Sequence, residues 1–337
     1  MKVIFMGTPD FSVGTLEALI ESGHEVVLAV TQPDKPKGRG KAMQFPPVKE
    51  AALAHGIEVY QPKRVREQDC IQYLRRYEAD IIVVVAFGQI LPREILEMPR
   101  YGCINVHASL LPKYRGAAPI QWAVINGEQV TGVTTMRMDE GLDTGDMILK
   151  EEVRLTAQET GGSLFDRLAQ TGAELCLRTL TAIEDGTAVY TPQNHDLATH
   201  TTMIKKQLGE IDWQKPAQEL ERLVRGLNPW PSAYTFLNGK TLKIWKAAVA
   251  EQPGQEEARN LQNVREQVGK PGSEARQATI KIEPGSVAWV TKDSLTVQTG
   301  QGLLELLEVQ LEGKKRMTID AFLRGFTVDK GCRLGKE

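Results

Sequence analysis

The sequence of 337 residues predicts an α/β protein in which a Rossmann-like, doubly wound and mostly parallel sheet is followed by a smaller OB-like β-barrel domain. Three observations support this prediction. Short apolar runs alternate with segments of helical periodicity through the first half, as in sheets covered by helices. The run at 81–86 is apolar at every position, which is typical of a strand buried on both faces. In the last third, short strand patterns predominate and helices are few.

The first half divides into strands and helices that follow one another regularly. A helix carrying Leu16, Leu19 and Ile20 on one face follows the opening strand and is closed by Gly23. The predicted strands are 3–6, 25–30, 57–60, 81–86, 102–107, 131–138 and 147–153, and the further helices are 46–54, 65–77, 119–126 and 163–184. In a sheet of this kind, ligands bind at the carboxyl ends of the strands.

The domain organisation follows from a change of pattern after residue 190. We predict an α/β domain over 1–190, a linker over 191–208 and an OB-like domain over 209–337. In the second domain Asn238-Gly239 is a strong hairpin signal. The predicted elements there are helices 215–225 and 318–324 and strands 233–237, 241–245, 285–290, 294–298 and 303–311. The stretch 251–278, rich in Gln, Glu, Gly and Arg, is expected to be a mobile surface insertion.

Composition is that of an ordinary globular protein, with 41% apolar and 25% charged residues. The net charge of −2 gives no global sign of a nucleic-acid partner. The 4 cysteines are far apart and form no C-x-x-C pair, which argues against a zinc site or a disulfide framework and favours the cytoplasm. The sequence opens without the features of a signal peptide, and 81–87 is too short to span a bilayer, so we expect no membrane partner.

The first patch of interest is 105–116, at the end of a predicted strand. Alternation along the strand sends the Asn105 amide and the His107 imidazole to the same face. An isolated histidine of this kind is often only a core residue. Here the polar pair leads into a loop rich in Pro, Gly and Arg at the edge of the sheet where sites are built, which favours catalysis.

A second patch, 139–146, combines aspartates with glycines. One interpretation is a solvated turn, the usual structure of Asp-Gly clusters. The other is that Asp143, flanked by glycine residues, lies beside His107 and completes an acid–base group without a metal. The sequence positions alone leave both interpretations open.

A third patch is the basic loop 32–41, which contains Lys35, Lys37, Arg39 and Lys41 among prolines and glycines. Solvated loops are often basic, but flexible cations between glycines can also bind a phosphate backbone. The opening turn 7–11 is not G-x-G-x-x-G, and Pro9 removes a backbone donor where a pyrophosphate would need one. This turn argues against a nicotinamide oxidoreductase.

Together these patches resemble the folate-dependent formyltransferase family. Residues 105–112 (NVHASLLP) followed by 115–120 (RGAAPI) resemble its signature, and 141–146 (GLDTGD) resembles its second block. The basic loop and 5–11 (FMGTPDF) resemble the members that act on a methionyl-tRNA. The likeness extends over nearly the whole chain, but Pro46 stands where a serine is expected and 251–278 is longer than usual.

The resemblance implies 10-formyltetrahydrofolate as the formyl donor and the α-amine of methionyl-initiator tRNA as the acceptor, with no metal, in a monomer. The implied catalytic residues are Asn105, His107 and Asp143, the folate contacts are Ser109, Leu110, Leu111 and Pro112, and the tRNA-binding residues are Lys35, Lys37, Arg39 and Lys41. Asn105 and His107 would each donate a hydrogen bond to the oxygen that becomes negative, and Asp143 would hold the imidazole charged and relay a proton.

The second domain would bind the flank of the tRNA, since barrels of the OB type bind oligonucleotides through charge and stacking. The candidates for that surface are Lys243, Trp245, Lys246, Lys314, Lys315 and Arg316, although a plain solvated face is an equal alternative. Two other functions are each compatible with part of this sequence pattern. One is formyl transfer to a sugar-nucleotide amine, and the other is RNA binding without catalysis.

Overall fold

The computed structural model describes residues 1–37, 42–250 and 282–336. The chain divides into two compact units. The first is Met1–Ala123 with Glu128–Met203, and the second is Val124–Gly127 with Ile204–Glu337. Arg39, Lys41 and the predicted insertion 251–278 lie outside the described residues, as does the side chain of Lys37. Among the described residues, no helix is long and apolar enough to cross a membrane.

The first unit is built on a seven-stranded sheet. The strands of this unit are β1 (Lys2–Gly7), β2 (Glu25–Val30), β3 (Lys35–Lys37), β4 (Ala42–Gln44), β5 (Val59–Tyr60), β6 (Ile81–Val85), β7 (Cys103–His107), β8 (Arg115–Gly116), β9 (Val130–Arg137), β10 (Met147–Arg154) and β11 (His200–Thr201). The sheet order is β10-β9-β7-β6-β1-β2-β5. From β5 to β7 all neighbours are parallel, whereas β9 runs antiparallel to both β7 and β10.

Helices cover this sheet because its central strands are apolar on both faces. The helices are α1 (Asp10–Glu21), α2 (Pro47–Ala54), α3 (Gln68–Arg75), α4 (Arg93–Leu96), α5 (Pro119–Ile125) and α6 (Gly161–Glu184). Every residue of β6 is buried, as its uniform apolar sequence predicted. Helix α6 begins at a capping box between Thr160 and Ser163 and packs against α1, where Phe11 and Phe165 meet edge to face.

The second unit is an antiparallel sheet with its own core. Its elements are α7 (Ala217–Gly226), β12 (Ala233–Leu237), β13 (Lys240–Ala250), β14 (Val287–Val290), β15 (Leu295–Gln298), β16 (Leu303–Leu311), β17 (Met317–Thr318) and α8 (Ile319–Gly325). The ladder is β12-β13-β16-β15-β14, with β17 on β16. Trp213, Leu220 and Phe322 are buried in its core. Asn238 and Gly239 both have positive φ, as the predicted hairpin requires.

The predicted fold class is confirmed in both units. In the described residues β12 and β14 are the two ends of the second ladder, which agrees with the partly open barrel of an OB fold. Several element limits differ from the prediction. The helix predicted at 65–77 spans only Gln68–Arg75, and β13 continues to Ala250 because it pairs with β16 along its length. Short elements such as α4 and the β3–β4 pair were not predicted, since they lack a periodic signal.

The predicted linker 191–208 includes residues that are bound to the first unit. Strand β11 pairs with β8, and Gln193 is buried. The compact unit to which they belong ends at Met203. The domain limits inferred from the sequence remain a prediction.

A glycine in β9 should be irreplaceable because the sheet leaves no space for a side chain. A Cβ at Gly132 would lie 2.0 Å from the main-chain oxygen of Glu151 and 2.7 Å from Leu110. We expect Gly132→Ala to lower the free energy of unfolding by about 1–3 kcal/mol or more, the usual cost of overpacking. This change in the free energy of unfolding is measured by thermal denaturation followed by circular dichroism.

The control is Gly14→Ala in α1, where a Cβ meets nothing within 4 Å. That change should be neutral or stabilising by up to about 1 kcal/mol, since alanine is the better helix former. An equal loss of stability in both variants would contradict the packing argument.

Candidate active site

A cavity of about 670 Å³ opens in the first unit. Its lining comes from the residues after β1 (Pro9 and Phe11), from the end of β6 and the loop after it (Ala86 to Leu91), and from β7. The cavity therefore lies where doubly wound sheets bind ligands. Ala86 and Gly88 have positive φ, so the chain turns sharply after β6 and its main chain contributes to the lining.

Asn105, His107 and Asp143, the three residues that the family resemblance implies as catalytic, all line this cavity. Asn105 and His107 are two residues apart on β7 and share a face. The Asn105 amide Nδ2 lies 3.4 Å from Asp143 Oδ1, and His107 Nδ1 lies 3.7 Å from Asp143 Oδ2. The side chains of His107 and Asp143 are only 8% and 11% exposed. Of the two interpretations of 139–146, the structure excludes a simple solvated turn at Asp143.

The loop that carries Asp143 depends on a residue with positive φ, on a glycine with no space for a side chain and on a hydrogen bond to the carboxylate. Asp143 has φ +53°, a left-handed conformation that aspartate tolerates better than most residues. A Cβ at Gly145 would lie 1.8 Å from the main-chain oxygen of Arg137, so a side chain has no room there. Asp143 Oδ2 also accepts a hydrogen bond of 2.8 Å from the Gly116 amide. The Asp143 carboxylate is thus held in place by the main chain of β8.

Both nitrogens of His107 face oxygen atoms. Nε2 lies 2.9 Å from the main-chain oxygen of Tyr114, and Nδ1 faces the Asp143 carboxylate. A carbonyl oxygen can only accept, so Nε2 carries a proton in this arrangement. Nδ1 is the nitrogen left to face the cavity. At 3.7 Å the distance from Nδ1 to Asp143 Oδ2 is longer than a hydrogen bond, so Nδ1 is also open to a group bound in the cavity.

The predicted folate contacts lie beside the cavity and not in its lining. Ser109 and Leu111 are buried, and Thr134 Oγ1 binds both of them: it donates to Ser109 O (2.7 Å) and accepts from the Leu111 amide (3.1 Å). The Leu111–Pro112 peptide is cis. Lys150 Nζ donates to the Leu111 oxygen at 2.5 Å, and burial lowers the pKa of that ammonium group. Ser109, Leu110, Leu111 and Pro112 form a rigid turn next to the site, and their contact with folate remains a prediction.

Two residues of the site were missed by the sequence analysis. Gln193 is buried and donates to the main-chain oxygens of Asp143 (2.9 Å) and Gly145 (2.8 Å). Arg115 is 3% exposed and donates to Gln193 Oε1. Arg115 stood in a quoted motif without a role, and Gln193 fell in the predicted linker. A glutamine 50 residues after Asp143 gives no sequence signal of its contact.

The predicted tRNA-binding loop begins on a short hairpin. Lys35 is exposed on β3, which pairs with β4, and Lys37 ends β3. Asp34 lies at the base of this hairpin, where the Lys49 ammonium binds it at 2.7 Å. Gln61 also donates to Asp34, and these hydrogen bonds hold the pKa of Asp34 below its usual range. The hairpin is thus tied to the body of the unit.

The second unit brings three of the six surface candidates together. The Lys243 ammonium lies 5.4 Å and the Arg316 guanidinium 4.9 Å from the Trp245 ring centre. Arg316 also pairs with Glu308. A cation beside an indole is the combination that stacks on nucleobases and binds phosphates. In the part of the chain that the structure describes, Lys246, Lys314 and Lys315 make no cation–π contact with this indole.

The sequence matches the Formyl transferase family over residues 1–180 and the C-terminal domain of the same family over residues 203–327. The chain belongs to the formyl transferase family. The resemblance of 105–120 and 141–146 to this family is therefore confirmed. Its two matched regions correspond to the sheet with the cavity and to the antiparallel unit.

The chain has relatives of high sequence identity over their full length. The chain is 65% identical to a methionyl-tRNA formyltransferase of Agathobacter rectalis over 98% of both chains, and 55% identical to one of Lachnospira eligens over the full length of both. Among solved structures it is similar to WlaRD, a sugar 3N-formyl transferase, with TM-score 0.61, 17% identity and coverage of 94% and 99%. It is also similar to HypX of Aquifex aeolicus in complex with tetrahydrofolic acid, with TM-score 0.60, 17% identity and coverage of 98% and 48%. At these identities the structures show a shared fold.

The turn beside the cavity, which contains Ser109 and Leu111, should depend on the hydroxyl group of Thr134. Thr134→Val keeps the shape but removes both hydrogen bonds to 109–111, leaving a buried amide and a buried carbonyl without a partner. We expect a loss of about 1–3 kcal/mol in stability and faster hydrogen exchange at the Leu111 amide. Thr179→Val is the control, because Thr179 is equally buried but binds Thr135 and Leu175. Unchanged exchange at Leu111 in Thr134→Val would contradict the role given to Thr134.

Proposed function

We propose that the chain transfers the formyl group of 10-formyltetrahydrofolate to the α-amine of methionyl-initiator tRNA. The observation that carries the proposal is the convergence of an amide, an imidazole and a carboxylate on one cavity, in a chain closely similar to methionyl-tRNA formyltransferases. Asn105, His107 and Asp143 are the residues proposed to do the chemistry. No step requires a metal or a covalent enzyme intermediate.

The cavity supports binding of a folate. Its volume of about 670 Å³ lies within the usual range for a small-molecule site, and it combines apolar walls with a few polar groups. The turn from Ala86 to Leu91 could bind the edge of a planar ring through its main chain, while Met136 and Leu142 could contact its apolar faces. The formyl-bearing end would then lie at Asn105 and His107.

The oxyanion is the main electrostatic problem of the reaction. An α-amine titrates at about 8, and an esterified carboxyl group lowers that further, so much of the amine is already neutral at physiological pH. Attack of the nitrogen on the formyl carbon places negative charge on the formyl oxygen. Asn105 Nδ2 and His107 Nδ1 are the donors proposed to stabilise it. Such donors act best when they are held before the reaction, as both are here.

Asp143 is proposed to serve both the imidazole and the amine. Its Oδ2 faces His107 Nδ1 and stabilises a positive ring. The amine loses a proton as the C–N bond to the formyl carbon forms, and the folate nitrogen gains one as its own bond to that carbon breaks. Asp143 can accept the first proton and pass it on, since the carboxylate oxygens lie within reach of the same cavity.

An aminoacylated tRNA accounts for features that a small acceptor would not use. The basic segment 35–41 offers cations to a phosphate backbone, and the Trp245 indole has two cations, Lys243 and Arg316, beside its ring. Contacts of this sort dominate the affinity of proteins for nucleic acids. We therefore propose Lys35, Lys37, Arg39 and Lys41 in the first unit and Lys243, Trp245 and Arg316 in the second as tRNA contacts.

The first test measures formylmethionine after incubation with 10-formyltetrahydrofolate and labelled methionyl-initiator tRNA. We expect product from the wild type, and a loss of roughly 10²–10³ in kcat for Asn105→Ala or His107→Ala, the usual cost of removing an oxyanion donor. His24→Gln is the matched control, because His24 is bound to the amino terminus of the chain and lies outside the cavity lining.

An amino-sugar nucleotide is incubated alongside as a rival acceptor. Formylation of the sugar without formylmethionine would keep the folate chemistry and overturn the choice of acceptor. Asn105→Ala should still bind the tRNA with the affinity of the wild type. Full turnover by that variant would remove the basis of the proposed mechanism.

The second unit is tested by the salt dependence of tRNA binding. We expect Lys243→Ala with Arg316→Ala to weaken binding and to reduce the slope of log K against log salt by roughly 1–2, since about two phosphate contacts would be lost. The control pair, Arg178→Ala with Arg324→Ala, removes two exposed cations on helices α6 and α8, which pair with Glu151 and Asp320. An identical slope in both double variants would argue against this surface.

A further inference from the structure

We propose that Gln193 is the positioning residue that holds Asp143 beside His107. The positioning role is inferred from the geometry of the loop. Its expected effect on turnover rests on the proposed formyl transfer. Gln193 does not line the cavity and touches no reacting atom, so its effect must pass through Asp143.

Asp143 needs such a support because its conformation is not one that a chain adopts freely. Its φ of +53° lies in the left-handed region, and the surrounding loop is largely exposed. The Gly141 amide and the Thr144 hydroxyl donate hydrogen bonds to Asp139 Oδ1, which shape the outer part of the loop. They do not attach the loop to the rest of the site.

Gln193 supplies that attachment. Its Nε2 donates to the main-chain oxygen of Asp143 at 2.9 Å and to that of Gly145 at 2.8 Å. One amide group thus fixes the main chain at the carbonyl of the left-handed residue and again two residues further along the loop. Gln193 is 5% exposed, so water cannot readily replace these bonds.

Arg115 fixes the orientation of the Gln193 amide. Its Nε and Nη2 donate to Gln193 Oε1 at 3.1 and 2.7 Å. A guanidinium group can only donate, so the oxygen of the amide must face Arg115 and its NH₂ must face the loop. His195 Nδ1, at 3.2 Å from Arg115 Nη1, accepts on the other side of the guanidinium.

The same segment also holds the carboxylate. The Gly116 amide donates to Asp143 Oδ2 at 2.8 Å, and β8 is anchored by its pairing with β11. Arg115 and Gly116 therefore fix Asp143 twice. Gly116 binds its side chain directly, and Arg115 holds its main chain through Gln193. Removing the middle member of this group should displace the carboxylate from His107.

The test replaces Gln193 by glutamate, which keeps the shape and an acceptor for Arg115 but removes both donors to the loop. We expect kcat for formyl transfer to fall about 10–100-fold, as for a catalytic group displaced by a fraction of an ångström to 1 Å. KM for both substrates should change little. Assays are run well below the Tm of each variant, and Gln193→Asn, with a shorter amide, should show an intermediate loss if the glutamate variant does not fold.

Gln298→Glu is the matched control. Gln298 also donates from its amide to two main-chain oxygens, those of Thr299 and Gly302, but in the second unit. We expect it to lose stability to a similar extent and to keep the kcat of the wild type. A fall in kcat in both variants would mean that the effect of Gln193 is only on stability.

Two further measurements separate positioning from stability. Once Asp143→Asn has removed the carboxylate, adding Gln193→Glu should lower kcat by less than about twofold, because residues that act as a unit are not additive. Hydrogen exchange reports on the hydrogen bond between the Gly116 amide and Asp143 and does not depend on an activity assay. The Gly116 amide should lose its protection in Gln193→Glu and keep it in Gln298→Glu.

The outcomes distinguish this inference from the proposed function. An inactive wild type would overturn formyl transfer, while exchange at Gly116 would still decide whether Gln193 positions Asp143. An active wild type with full kcat and a protected Gly116 amide in Gln193→Glu would overturn the positioning role alone. Independent, multiplying losses from Asp143→Asn and Gln193→Glu would overturn it as well.

Discussion

The antiparallel pairing of β9 with β7 is the constraint on which the candidate site depends. It sets Met136 opposite Asn105 and Thr134 opposite His107. The connection from β9 to β10 therefore leaves the sheet near the start of β7, away from the end where His107 lies. To bring Asp143 to His107 the connection must return across the face that carries Asn105. The left-handed Asp143 and the side-chain-free Gly145 make that return possible.

A second consequence of this pairing is a buried polar layer beside the cavity. Thr134, brought to the end of β7 by the register, binds the turn that contains Ser109 and Leu111. Arg115 and Gln193 extend the layer to the Asp143 loop. Among the described residues no buried side-chain nitrogen or oxygen lacks a partner. A fully satisfied network of this kind is rigid, which is what an electrostatic site requires of its donors.

The sequence could predict the parts of the site that depend on local periodicity. Alternation along β7 was enough to place Asn105 and His107 on one face, and apolar runs were enough to give the sheet. Asp143 remained undecided because a short Asp-Gly segment has no period, and its position depends on a contact with Gly116 far away in the chain. Gln193 was missed for the same reason. Its surroundings are polar, and only the folded chain shows that it is buried.

The order of strands in the second unit explains how the chain can carry a long segment between β13 and β14. Strand β13 pairs with β12 and β16, whereas β14 pairs with β15 at the other end of the ladder. The two strands are not neighbours, so the connection between them is not a hairpin and its length sets no register. Lengthening such a connection adds only slowly to the entropy of closing it. A connection of this length is therefore compatible with the order of the core strands around it, which contribute Leu242 and Ile244 on one side and Val287 on the other.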